Sequence, residues 1–138
     1  MAITPDRINS RAPGRWPAFL LAAAWPLFAG ALWSDYGYST SFELQWSNFA
    51  SWLVAGGMVF LGIALVLAIV DLVRGGRSLL YFALLLAAFV LGFINALVHA
   101  RDAYAVMPTG LVLSLVVALL VTVATWIAFA GLRAGGRP

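Results

Sequence analysis

The chain has no cysteine and no lysine, a single histidine, and charged residues at only 9% of its 138 positions. Each shortage excludes something. Without cysteine there is no disulfide and no thiolate metal site. With one histidine, a bis-histidine haem within a single subunit is excluded. The scarcity of charge leaves 64% of the residues hydrophobic, whereas soluble domains hold roughly 45–50% apolar and about 25% charged residues. A soluble fold of this size cannot hide that much apolar surface, so the expected solvent is lipid.

What charge there is carries information through its position. All eight basic residues are arginines, and the formal net charge is +3. They form no stripe along a helix but gather at the ends of apolar runs, so no nucleic-acid partner is expected and they read as topology markers.

Four apolar runs contain no Asp, Glu, Lys or Arg: Trp16–Trp33, Phe49–Val70, Leu79–His99 and Gly110–Ala130. Their lengths of 18, 22, 21 and 21 residues fall within the roughly 17–25 needed to span a bilayer. The connectors are too short for a soluble domain, and Gly75-Gly76 supplies a turn in the second. The expectation is an all-α, four-helix transmembrane bundle with helices at about 16–33, 49–70, 79–99 and 110–130. A basic segment (residues 1–15) precedes it, and a tail (residues 131–138) follows. Arg7, Arg11, Arg15, Arg74, Arg77, Arg133 and Arg137 then share one side, and Arg101 lies on the other. Arginine is retained in cytoplasmic loops, so both termini are expected to be cytoplasmic. A cleavable signal peptide ending near Ala29–Ala31 is the rival reading of the first run. The run's length, its tryptophans, Pro26 and its continuation into Leu32-Trp33 oppose it.

Membrane helices associate through small and polar residues, which makes their inner faces readable. On the third helix Tyr81, Ala88, Gly92, Asn95, His99 and Asp102 share a face, with Phe82, Leu86, Val90, Phe93 and Leu97 opposite. The second helix has two small faces, Ser51/Ala55/Met58/Gly62 and Gly57/Ala64/Ala68, which suits neighbours on both sides or a dimer. Ser114, Ala118, Thr122 and Thr125 cluster on the fourth, where hydroxyls are expected to bond the carbonyl one turn back. Ser47 or Asn48 is expected to cap the second helix. Pro26 lacks an N–H and crowds the carbonyl of Ala22, so a bend is expected there.

The best polar candidate is "INALVHARD", Ile94–Asp102. Counting at about 1.5 Å per residue puts His99 near the outer interface. The expected role is structural: an inward-facing histidine bonded to Asn95, Asp102 or a neighbouring helix. A haem ligand, a quinone partner or a proton-transfer group are the functional alternatives. Asp35, Asp102 and His99, flanked by Tyr104 and Trp46, are expected to converge as an outer-side polar site. Asp35 and Asp71 each end an apolar run, and Asp71 has Arg74 three residues on for an ordinary helix pair. No catalytic residue, metal ligand or cofactor is assigned. A small dimeric transporter or channel stays open as a further alternative.

The order of segments "WPLFAGALWSDYGY", "WSNFASWLVAGGMVFLGIALVLAIVDLV" and "LGFINALVHARDAYAVMPTGLVLSLV" resembles the bacterial predicted-membrane-protein family known as domain of unknown function 2231, over about Pro26 to Ala130. That resemblance implies an acid ending helix 1 (Asp35), an acid ending helix 2 (Asp71) and a polar patch on helix 3 (Asn95, His99). Many members carry a His-Pro pair before helix 1. Here "RAPGRWPAF" has none, which removes any metal or haem role built on it. The resemblance implies a bacterial inner-membrane protein serving as an accessory to a periplasmic redox enzyme. Taken together, the expected function is a non-enzymatic membrane packing or accessory subunit, alone as a homo-oligomer or with a membrane partner.

Overall fold

A computed structural model describes residues 14–76 and 78–135. It is all-helical: α1 (Arg15–Ser41), α2 (Leu44–Val73), α3 (Leu79–His99), a single 3-10 turn (Ala103–Ala105) and α4 (Thr109–Gly135). All four α-helices are long and apolar enough to cross a membrane. Each packs on its neighbours in the chain, and α4 closes onto α1, giving an antiparallel ring of four.

The buried positions explain the packing. On α2 they fall at Ser47, Ala50, Val54, Gly57, Leu61, Ala64, Leu65 and Ala68. On α3 they are Tyr81, Leu85, Ala88, Gly92, Asn95 and His99. Apart from Leu65, which widens the α2 face, both rows alternate steps of three and four, the 3.5-residue period of left-handed bundles. Most of these side chains are small, which lets the helix axes approach. A Cβ added to Gly57 would stand 2.9 Å from the Phe28 ring, and one on Gly92 would run into the Met58 sulfur. The expected lipid face of α3 is exposed at Leu86, Val90, Phe93 and Leu97. Of the two small faces of α2, Gly57, Ala64 and Ala68 are buried, while Met58 packs on Gly92 and Gly62 lies beside Phe89. Those two residues belong to α3, so the second face also has a partner inside the bundle.

Three helices outrun their apolar segments, α4 by continuing past residue 130 to Gly135. The expected first helix (16–33) is the earlier part of a 27-residue helix that continues to Ser41. Its last turns are polar, but Ser39, Thr40 and Ser41 return their hydroxyls to carbonyls of Tyr36 and Gly37. Trp46 packs tightly on Gly37, where a Cβ would lie 2.9 Å from the indole. Phe42 ends the helix in a left-handed conformation (φ 55°), with its N–H on Tyr38 O. The second helix likewise starts at Leu44, not near residue 49, so Glu43 is its cap residue and Ser47 lies inside, buried. The expected capping by Ser47 or Asn48 is therefore not formed.

Pro26 sits within a continuous α1 on its exposed side. The preceding residue, Trp25, donates its indole N–H to Thr122 Oγ1 at 2.9 Å, tying α1 to α4. The short connectors place the start of α1 with the end of α2 and the start of α3. Arg15, Arg74 and Arg133 mark that end of the bundle. The opposite end is marked by His99.

Candidate functional site

The histidine end contains a buried polar network built from three helices. Asp35 comes from α1, Asn95 and His99 from α3, and Ser114 from α4. All four occupy core positions of their own helices. Asn95 and His99 continue the row Tyr81, Leu85, Ala88, Gly92. Asp35 lies between the buried Ala31 and Tyr38. The network is thus the last layers of the core, with polar residues in place of alanine and leucine.

The hydrogen bonds run in a closed circuit. Asn95 Nδ2 donates to Ser114 Oγ at 2.9 Å. Ser114 Oγ in turn donates to Asp35 Oδ2 through a short contact. Asp35 Oδ1 meets His99 Nε2 at 2.8 Å, and His99 Nδ1 lies 2.9 Å from the backbone carbonyl of Asn95. The circuit therefore begins and ends on one residue. Asp35 and Asn95 are fully buried, and the His99 side chain is 1% exposed.

The carbonyl of Asn95 only accepts, so Nδ1 carries a proton and donates. An Nε2···Oδ1 separation of 2.8 Å then requires a second proton between imidazole and carboxyl, because two lone pairs would repel. Whether that proton resides on nitrogen or on oxygen, the pair is neutral as a whole. A neutral pair is what a low-dielectric site tolerates, since an isolated buried charge would be far more costly.

Gly110 is part of the construction. A Cβ there would stand 2.5 Å from Val106 Cγ1 and 3.1 Å from His99 Cε1. Only a residue without a side chain lets the first turn of α4 close over the imidazole. Buried polar atoms without a partner among the described residues are Asn95 Oδ1, Tyr38 Oη and Tyr81 Oη.

Of the expected site residues, Asn95, His99 and Asp35 come together, and Asp102 and Tyr104 do not join them. Asp102 would be the next core position of α3, but the helix has ended at His99. Its exposed carboxylate instead accepts the Tyr104 N–H at 3.3 Å at the start of the 3-10 turn. Tyr104 is 73% exposed, and Trp46 packs on Gly37. Asp35 is not an edge residue: the extra turns of α1 beyond it carry it into the core.

Ser114 is the member that sequence reasoning set aside. Thr122 and Thr125 do bond the carbonyls one turn back, at Ala118 and Val121. Ser114 points across to Asp35 instead. Its place in the α4 core row, four residues after Gly110 and three before Val117, is the one sequence signal that separates it from the threonines. The expected Asp71–Arg74 pair is also absent: the two side chains do not come within 4.0 Å, and the acid–base contact found among the described residues is His99–Asp35. No group of three or more metal-ligating side chains occurs among the described residues.

The arrangement is not a hydrolytic triad. There the histidine stands between the acid and the nucleophile and takes the serine proton. Here the carboxyl stands in the middle, and the serine hydroxyl is held by the acid. Both ring nitrogens of His99 are engaged, so neither is free to ligate a metal or accept from a quinol without breaking a bond in the circuit. Comparison with family models, curated proteins and solved structures gives no match.

Proposed function

We propose that the chain is a multi-pass protein of the bacterial inner membrane, with both termini cytoplasmic. In this reading it is a non-enzymatic packing or accessory subunit, and Asp35, Asn95, His99 and Ser114 form a clasp holding α1, α3 and α4 at the outer end. The observation that carries this is closure. The His99 side chain is 1% exposed and the Asp35 side chain 0%, and both ring nitrogens are spent on partners within the bundle. A group that presents itself to a ligand keeps an exposed face or an open lone pair, and the imidazole keeps neither; the unpartnered Asn95 Oδ1 is itself buried.

The same observation weighs against the alternatives. A haem iron or a quinone would have to displace Asp35 or the Asn95 carbonyl. A transport path along the polar face of α3 would have to part Asn95 from Ser114 and Gly92 from Met58. The arginine distribution supports the orientation, since seven of the eight lie on one side under four spans. The packing role is tested by isolating the protein from native membranes in mild detergent and measuring its mass and companions. A homo-oligomer or a stoichiometric membrane partner is expected, and a partnerless monomer overturns the reading. An absorption spectrum and solvent extraction of the same sample test haem and quinone, and a Soret band or a stoichiometric quinone would favour an electron-transfer subunit.

A further inference from the structure

The arginine end has a second polar constellation that the clasp does not use. A recess of about 230 Å³ lies where the start of α1, the end of α2 and the start of α3 meet. Its walls are apolar at Trp16, Pro17 and Leu67, and its polar lining comes from Asp71, Arg74 and Tyr81. Tyr81 is 4% exposed, and its hydroxyl is buried without a partner among the described residues. It lines both the recess and an adjoining void of about 10 Å³ against Gly76 and Ser78. Asp71 and Arg74 contribute opposite charges that do not pair with each other.

We infer that this recess binds the headgroup of an aminophospholipid, a lipid whose phosphate and primary ammonium lie side by side. The inference rests on the membrane reading above. The chemistry matches group by group. The Arg74 guanidinium pairs with the phosphate, whose charge a planar fork recognises well. The Asp71 carboxylate accepts from the primary ammonium. The Tyr81 hydroxyl, otherwise costly to leave buried and unmade, donates to a phosphate oxygen. A purely anionic headgroup would set its charge against Asp71. A trimethylammonium headgroup has no N–H to give that carboxylate. The size agrees with a headgroup, because pockets for whole drug-sized ligands begin at roughly 300 Å³. The acyl chains would then lie outside along the exposed apolar residues of α2, below an exposed Trp16 at headgroup level.

The test uses the full-length protein in mild detergent, offered equal amounts of phosphatidylethanolamine, phosphatidylcholine and phosphatidylglycerol, with retained lipid read by native mass spectrometry. Phosphatidylethanolamine should be retained roughly tenfold over phosphatidylcholine, the size of one charge-assisted hydrogen bond. Asp71→Asn should bring that ratio near one, and Arg74→Ala should weaken retention of both lipids by a similar factor. Tyr81→Phe keeps the ring in its packed place and, because the phosphate is common to both lipids, should weaken retention of both while leaving their ratio unchanged. Equal retention of the three lipids, a preference for phosphatidylglycerol, or variants that bind as the parent does would overturn the inference. So would retention of water-soluble phosphoethanolamine in place of the lipid. A chain absent from the membrane fraction would instead overturn the membrane reading itself, so the two failures are distinguishable.

Discussion

Replacing Asp35 once by alanine and once by asparagine separates the shape of the clasp from its charge. Alanine removes the partner of both His99 Nε2 and Ser114 Oγ, in a site with no solvent to replace it. In soluble proteins, breaking a buried pair by removing one partner costs about 3–5 kcal/mol. Polar contacts between membrane helices are weaker, averaging about 0.6 and reaching about 1.7 kcal/mol. Two such contacts near the upper value give a destabilisation of about 3 kcal/mol for Asp35→Ala. Asparagine behaves differently because of the proton count. With Nδ1–H held by the Asn95 carbonyl, a neutral His99 offers Nε2 as an acceptor. The new amide can donate its N–H there while its oxygen accepts from Ser114. Every bond of the circuit survives, so Asp35→Asn should cost less than about 1 kcal/mol. The assay is reversible unfolding in mixed micelles, with His99→Ala and Asp35→Ala/His99→Ala completing a double-mutant cycle. A coupling of about 1 kcal/mol or more between Asp35 and His99 is expected, above the membrane mean. If asparagine is as damaging as alanine, the neutral-pair argument fails. If alanine itself costs under about 0.5 kcal/mol, the circuit is not holding the bundle together.

Glycine substitutions test the packing. Gly110→Ala should destabilise by about 1–3 kcal/mol through collision with Val106 and His99. Gly56→Ala, whose Cβ would lie 3.5 Å from Leu27 Cδ1, should be neutral or slightly stabilising in the same unfolding assay. Trp25→Phe keeps most of the ring and removes the N–H on Thr122, with an expected loss of about 0.6–1.7 kcal/mol; no loss in Thr122→Val as well would mean the bond is idle. The absence of native cysteine makes orientation easy to read. Ser41→Cys should react with a membrane-impermeant maleimide in intact cells and Ala134→Cys only after permeabilisation, and the reverse pattern would invert the proposed topology.

The helices and their faces were readable because spanning a bilayer, as proposed, requires both. Length and apolarity mark the spans, and small residues at three- and four-residue steps mark the sides that meet. The lengths of α1 and α2 were harder to read. Only Tyr36 and the buried Tyr38 bring apolar surface to the turns from Ser34 to Ser41. Those turns are held by hydroxyls bonding back to Tyr36 and Gly37 and by the contact of Trp46 on Gly37, and hydropathy counts neither. The helix then stops at Phe42, with no glycine or proline at the stop. For the same reason Asp35 looked like an interface residue. The pairing of His99 with a carboxyl 64 positions away depends on the relative height of α1 and α3, which is set by connectors and core packing. Ser114 carried two equally ordinary options for a hydroxyl in a membrane helix, and only the neighbouring Asp35 selects between them.

The closed circuit also sets an order of assembly. It draws on α1, α3 and α4 and takes nothing from α2. During synthesis Asp35 is therefore made two helices before its histidine and three before its serine. Until α3 arrives, the carboxyl has no partner from the circuit, and until α4 arrives, Asn95 Nδ2 has no serine to receive it. An incomplete chain carries these polar groups unmet, and the complete chain hides them. The clasp thus distinguishes a finished bundle from a truncated one by the same bonds that stabilise it.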